Sequence, residues 1–206
     1  MNTGYISYIL ICITIILLVS GWKDTVLRGV PSRYIAVFFI GWFSLSKAEL
    51  ALGQVKISGI YAGLVILLLI VLYALPRETG VIPLVVSGLM LGLFYFLASE
   101  ISVTLPDLPG GSLFWLAFII GLLVIAMYRH PLAQIGCITL CVLVGCLLQM
   151  YSHSALAGYR LGFGPMKDHW WLFSFIARIV TGMLEFTASA SKSLYRQWVD
   201  ARKEKE

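Results

Sequence analysis

Four polar residues, Ser174, Arg178, Thr181 and Glu185, follow one another at i, i+4, i+7 and i+11 in a stretch that is otherwise almost wholly apolar from Trp170 to Phe186. On an α-helix this spacing draws one narrow line along one face. Two chemistries fit the line. Arg178 with an acidic partner makes an anion-binding or gating site, because ionisable groups inside membranes mark functional positions. The same groups closed on one another make a buried pair that fixes how the helix packs. Arg178 stands about 13 Å along the apolar run at 1.5 Å per residue. A charge near a bilayer centre costs about 2.5–3.5 kcal/mol or more, so a compensating group is expected. Glu185 lies two turns away on the same line, and Glu49 is the candidate partner from another segment.

A second pattern is Cys137, Cys141 and Gly145 at four-residue spacing. Two thiols one turn apart suggest redox or metal chemistry, but the geometry is poor for a disulfide and no histidine accompanies them. Small residues every fourth position let another helix approach closely, which is the simpler reading. Gly59 with Gly63, and Gly88 with Gly92, repeat the pattern. Together they predict close helix packing and argue against a wide pore. Cys12, like Cys146, sits in an apolar run and reads as a small buried side chain. His153, Asp168 and His169 share one segment with Tyr159 and Arg160, at spacings that match no metal motif. Interfacial anchoring accounts for the neighbouring Tyr151, Tyr159, Phe163, Trp170 and Trp171. Protease, hydrolase and phosphate-binding signatures are missing, so no catalytic, cofactor or metal residues are assigned.

The elements that position these residues follow from composition. Of 206 residues, 60% are hydrophobic and 12% charged, against about 45–50% and about 25% in soluble domains. Lipid must solvate much of such a surface, and an all-α, polytopic transmembrane bundle is expected. A span needs roughly 20 helical residues. Gly4 to Trp22 supplies the first, bracketed by Tyr5, Tyr8 and Trp22, with no basic leader or small-residue cleavage site, so a retained span is expected. The second, from Tyr34 within 34–53, reaches Lys47 early and is the weakest. Ile57 to Leu75 and Gly80 to Ser99 follow, the latter with Pro83 in its first turn, where a missing N–H costs little. Glu100 to Gly111 reads as a loop because two prolines and a glycine pair interrupt it. Leu113 to Tyr128, the run from Pro131 to near Met150, and His169 to Phe186 complete seven spans, with Tyr151 to Asp168 as a loop.

Seven spans with the N-terminus outside place Lys23, Arg28, Arg33, Arg77, Arg129, Lys192, Arg196, Arg202, Lys203 and Lys205 inside. Lys47, Lys56, Arg160 and Lys167 fall outside, a bias that agrees with the positive-inside rule. A rival plan makes segment two re-entrant and lays segment seven on the surface. It gives five spans, but puts Glu100 and Asp107 inside and Arg77 and Arg129 outside. Residues 1–190 are therefore expected to form the bundle and 191–206 a basic cytoplasmic tail that continues the last helix. The net charge of +5 belongs to helix ends rather than to a nucleic-acid surface.

At Gly21-Trp22-Lys23-Asp24, followed by Leu27-Arg28-Gly29, the junction after the first span resembles the YphA-like group of small, uncharacterised membrane proteins of spore-forming Gram-positive bacteria. The resemblance also covers length and multi-span plan, and brings no catalytic residues with it. It implies a bacterial plasma membrane and an accessory role in envelope or spore assembly. The function expected is that of a non-enzymatic interaction protein, docked to itself as a homo-oligomer or to an envelope protein, with anionic lipid at the tail. A small transporter or channel, its polar path lined by the last helix, is the alternative.

Overall fold

Helix α1 begins where Gly4 turns through a positive φ of 99° and runs Tyr5–Leu17, continuing as a π-helical turn over Leu18–Trp22. Its buried residues Ser7, Leu10, Ile11 and Thr14 are spaced as a single stripe. Ile9, Ile13, Ile16 and Val19 face outward, an arrangement that a lipid solvent tolerates and water penalises. The computed structural model describes residues 4–23, 27, 30–52, 55–76, 79–104, 113–157, 160–162 and 165–203.

Helix α2, Ser32–Leu45, starts immediately after Pro31, whose extended ψ of 139° places the ring just outside the first turn. The chain then turns into strand β1, Glu49–Leu52, and strand β2, Val55–Ser58, paired antiparallel with Glu49 opposite Ser58. Helix α3 is Gly59–Ala74 and stops before Pro76, with Leu75 extended as a residue preceding proline must be. Helix α4, Val81–Thr104, carries Pro83 in its first turn. Helix α5, Leu113–Met127, is followed after a short turn by helix α6, Pro131–Ala157, with proline as its first residue. Strand β3, Arg160–Leu161, adds to β2 in parallel, giving the order β1-β2-β3. Helix α7 runs Met166–Lys203.

The described residues are thus all-helical apart from this small sheet. Among them, four helices are long and apolar enough to cross a membrane: Tyr5–Trp22, Val81–Ile101, Pro131–Ser152 and Met166–Lys192. The other apolar helices, α2, α3 and α5, have 14, 16 and 15 residues, or about 21–24 Å each at 1.5 Å per residue. Some boundaries differ from those the sequence suggests. Helix α2 ends at Leu45, so Lys47 and Glu49 belong to the hairpin region and not to a span. Helix α4 runs into the expected loop as far as Thr104, and α6 passes Met150 to reach Ala157. In the last two cases the apolar run ends before the helix does. Backbone hydrogen bonding carries the helix on through polar residues until glycine or proline interrupts it.

Helix α6 is the centre of the bundle, with Ala133, Gln134, Cys137, Ile138, Cys141 and Val142 wholly enclosed. Glycines on both sides of it set the packing distances. A Cβ on Gly88 would come within 2.6 Å of the Leu140 side chain, and one on Gly92 within 2.8 Å of Val144 and 3.1 Å of the Cys141 carbonyl. Gly145 lies under the ring of Tyr95. These contacts advance together along the chain, so α4 and α6 run in the same direction. Gly59 and Gly63 instead meet the end of α2, where a Cβ on Gly59 would lie 2.6 Å from the Leu45 carbonyl. Gly59→Ala is therefore expected to lose about 1–3 kcal/mol, because the obstructing atom is backbone and cannot rotate away. Thermal unfolding in detergent checks this, with Gly41→Ala, where a Cβ meets nothing within 4 Å, as the control.

Successive helices alternate in direction. Tyr61 and Val71 of α3 meet Leu143 and Gly136 of α6, so those two run oppositely. Trp170 and Arg178 of α7 meet Thr139 and Gln134 of α6 in the same reversed order. The start of α1, the hairpin and the start of α7 share one end of the bundle. Ser87, Tyr128 and Gln134 lie at the other.

Candidate functional site

Helix α7 supplies the line of polar residues, and its neighbours decide what each one does. Arg178 is only 6% exposed, and its Nη1 donates to Gln134 Oε1 at 2.9 Å. Gln134 is completely enclosed and uses its amide fully: Nε2 donates to the Tyr128 carbonyl at 2.7 Å and to Thr181 Oγ1 at 3.0 Å. Thr181 in turn donates to the Ala177 carbonyl at 2.7 Å. At the same end, the Tyr128 hydroxyl and Ser87 Oγ are 2.8 Å apart, and Ser87 Oγ is 3.5 Å from Cys137 Sγ. Polar atoms from α4, α6 and α7, with Tyr128 after α5, therefore satisfy one another where an apolar surround would otherwise penalise each.

The polar line divides. Ser174, Arg178 and Thr181 are buried, whereas Glu185 is exposed beyond the bundle, with its carboxylate in electrostatic reach of Arg178. Glu49 lies on the exposed strand β1. That strand adjoins the start of α7, since Lys167 Nζ donates to the Ser46 carbonyl at 3.1 Å. Arg178 is eleven residues further on, about 16 Å along the helix. Because α2 stops at Leu45, the candidate partner Glu49 is carried to the end of α7 remote from Arg178, and a neutral amide receives the guanidinium instead. Gln134 follows Pro131 by three residues, so Arg178 sits beside the first turn of α6.

At the opposite end, the residues weighed as metal ligands have other uses. Asp168 is buried, and its two carboxylate oxygens accept from the backbone of α1: Oδ2 from Gly4 N at 2.8 Å and Oδ1 from Ser7 N at 2.7 Å. Gly4 brings no capping side chain of its own, so a residue 164 positions away closes the helix start. His169 Nδ1 is hydrogen-bonded to the Tyr95 hydroxyl, and its ring stacks on Phe173 with centroids 5.9 Å apart. His153 belongs to the α6 backbone, and Tyr159 falls outside the described residues. Among the described residues no three His, Cys, Asp or Glu side chains converge as a metal site.

Trp170 and Trp171 are not headgroup anchors. Both are buried, interleaved with Phe38, Phe39 and Trp42 of α2, with Trp42 and Trp170 stacked at 5.2 Å. The α2 segment is too short to hold itself in place by span length and does so with rings. Trp170 Nε1 also donates to Thr139 Oγ1 at 3.1 Å. Tyr151 is exposed, as an interfacial ring would be, and Phe163 lies outside the described residues. Cys137, Cys141 and Cys146 are buried and free, but Cys12 is exposed, because it falls off the narrow buried stripe of α1.

The residues that sequence reasoning overlooked are Gln134, Tyr128, Ser87 and Tyr95. Gln134 did carry a signal, as an amide in the first turn of an apolar helix that must find partners once buried. Comparison with protein-family models, curated proteins and solved structures finds no match for this chain.

Proposed function

We propose that this chain is a seven-span membrane protein, N-terminus outside and C-terminus inside, acting as a non-enzymatic accessory or interaction protein of a bacterial cell envelope. The alternation of helix direction supports the span number. The β2–β3 pairing and the Asp168 cap support the parity, for they bring the N-terminus, the second connection and the sixth to one end. The burial of Ser174, Arg178 and Thr181 speaks against α7 lying on a surface. The short helices α2, α3 and α5 fit a locally thinned or tilted arrangement.

One observation carries the functional reading: Arg178, Gln134 and Thr181 are engaged with one another inside the bundle. Such a network fixes helix packing. The surface available for partners is then the part of α7 beyond Gly182, where every residue whose burial is described is exposed. It extends as helix to Lys203, about 31 Å, and exposes Met183, Leu184, Phe186, Lys192 and Tyr195. Its basic residues add about 1 kcal/mol each near anionic lipid. A second copy or an envelope protein would dock on this extension. A photo-crosslinking side chain at Tyr195 is expected to yield a protein adduct in native membranes. Crosslinks confined to lipid there would defeat the interaction reading. A reporter fused after Glu206 that is active only outside would defeat the orientation.

The transporter reading has one observation in its favour: Ser174 Oγ and Trp171 Nε1 are buried on the same helix face and find no hydrogen-bond partner among the described residues.

A further inference from the structure

Hydroxyls in these helices follow a habit. Thr14, Ser87, Ser99, Thr139 and Thr181 each donate to a carbonyl three or four residues earlier, which spares them the cost of burial. Ser174 departs from it. Its side chain is 8% exposed and makes no hydrogen bond among the described residues, and the same holds for the indole nitrogen of Trp171, 5% exposed. T-shaped contact with Trp42 and Trp170 leaves the indole N–H at best a ring face.

At 3.6 residues per turn, Trp171, Ser174 and Arg178 fall within a sector of roughly 60° on α7, spread over about 10 Å of its length. The indole N–H and the guanidinium only donate, and a hydroxyl can donate. A ligand for this face must therefore present acceptors, and the positive charge of Arg178 selects an anion. The upper part of the sector is covered by α2, which meets it through Phe38, Phe39 and Trp42. Trp42 is the buried residue of that helix, and the wall it forms against α7 consists of side-chain rings. Its outer side carries exposed Val37, Ile40 and Phe43 and borders lipid.

We propose that Trp171, Ser174 and Arg178 form a binding site for the acidic headgroup, phosphate or carboxylate, of a membrane amphiphile admitted sideways between α2 and α7. This goes beyond the accessory reading and does not depend on what docks at the tail. The acceptor chemistry is shared by lipid and by free phosphate; the lateral entry assigns the lipid.

Thermal unfolding of the full chain, delipidated in detergent, tests the site with four probes: dioleoyl phosphatidylglycerol, oleate, dioleoyl phosphatidylcholine and inorganic phosphate. Phosphatidylglycerol and oleate at saturation are expected to raise the midpoint by about 4 °C or more, and the other two to leave it in place. Ser174→Ala removes a hydroxyl that has no hydrogen-bond partner among the described residues and should keep the ligand-free midpoint, whereas Trp171→Phe also gives up ring packing and should lower it. Each should weaken the response to phosphatidylglycerol, measured from its own ligand-free midpoint, about tenfold in concentration. An equal response to phosphatidylcholine, or to inorganic phosphate, overturns the assignment. So does wild-type binding by both variants, or a drop in the ligand-free midpoint of Ser174→Ala, which would mean that the hydroxyl already serves the fold.

Discussion

Replacing Gln134 with Leu is expected to destabilise the protein by about 2–4 kcal/mol, the cost of taking a neutral acceptor from a buried charge and a donor from two buried oxygens. Leucine fills similar space, so loss of packing is a minor part. The guanidinium of Arg178 loses the amide oxygen at 2.9 Å, and the Tyr128 carbonyl and Thr181 lose a common donor. The second half of the expectation is more demanding. Adding Arg178→Met to Gln134→Leu should recover part of the loss, because it removes the buried charge that has lost the amide, while the Tyr128 carbonyl and Thr181 still lack their donor. Thermal unfolding of the two single variants and the double variant provides the cycle. A double variant no better than Gln134→Leu alone would show that the two side chains do not depend on each other. The same variants separate packing from transport. If the face of α7 lines a solute path, Arg178→Ala should abolish flux while the protein accumulates normally. If it holds the bundle together, abundance should fall.

Asp168→Ala should cost about 3 kcal/mol, since it removes two buried hydrogen bonds to a carboxylate, from Gly4 N and Ser7 N, and the charge that complements the positive start of α1. Asp168→Asn keeps an oxygen for one of the two amides and should lose about half as much. The effect is local before it is global. Hydrogen exchange of the amides of Gly4 and Ser7 should accelerate most in Asp168→Ala, with the centre of α6 little changed. Unaltered exchange at α1 would mean that the helix start is held by something other than this carboxylate. The buried stripe of α1 is narrow, so this helix has little other packing to fall back on.

Much of the architecture is written locally. Apolar runs bounded by Pro76, Pro131 and the residues before Tyr34 define the starts of α2 and α6 and both ends of α3 to within a few positions, because proline and lipid solvation act on each segment by itself. The spacing of Ser174, Arg178 and Thr181 likewise marks a buried face of α7, since helical periodicity needs no knowledge of neighbours. What the line binds was not legible. Arg178 lies 44 residues from Gln134, and Asp168 is 164 from Gly4. No periodicity links positions that far apart.

The sheet shows the same limit. Glu49–Leu52 and Val55–Ser58 carry apolar residues that continue the character of the helices on either side, and their sheet is completed by pairing Lys56 with Arg160 from the connection between α6 and α7. Folded as a strand, Glu49 lies beyond the end of α2 and away from Arg178. The amino-acid sequence alone determines the greasy helices, where they break, and which face of the last one is polar, because those follow from solvent preference and from residues within a few turns. The tertiary structure alone decides that a neutral amide receives the arginine and that an aspartate closes the first helix. A buried donor takes whichever acceptor the packing brings within 3 Å, and that choice depends on every helix at once.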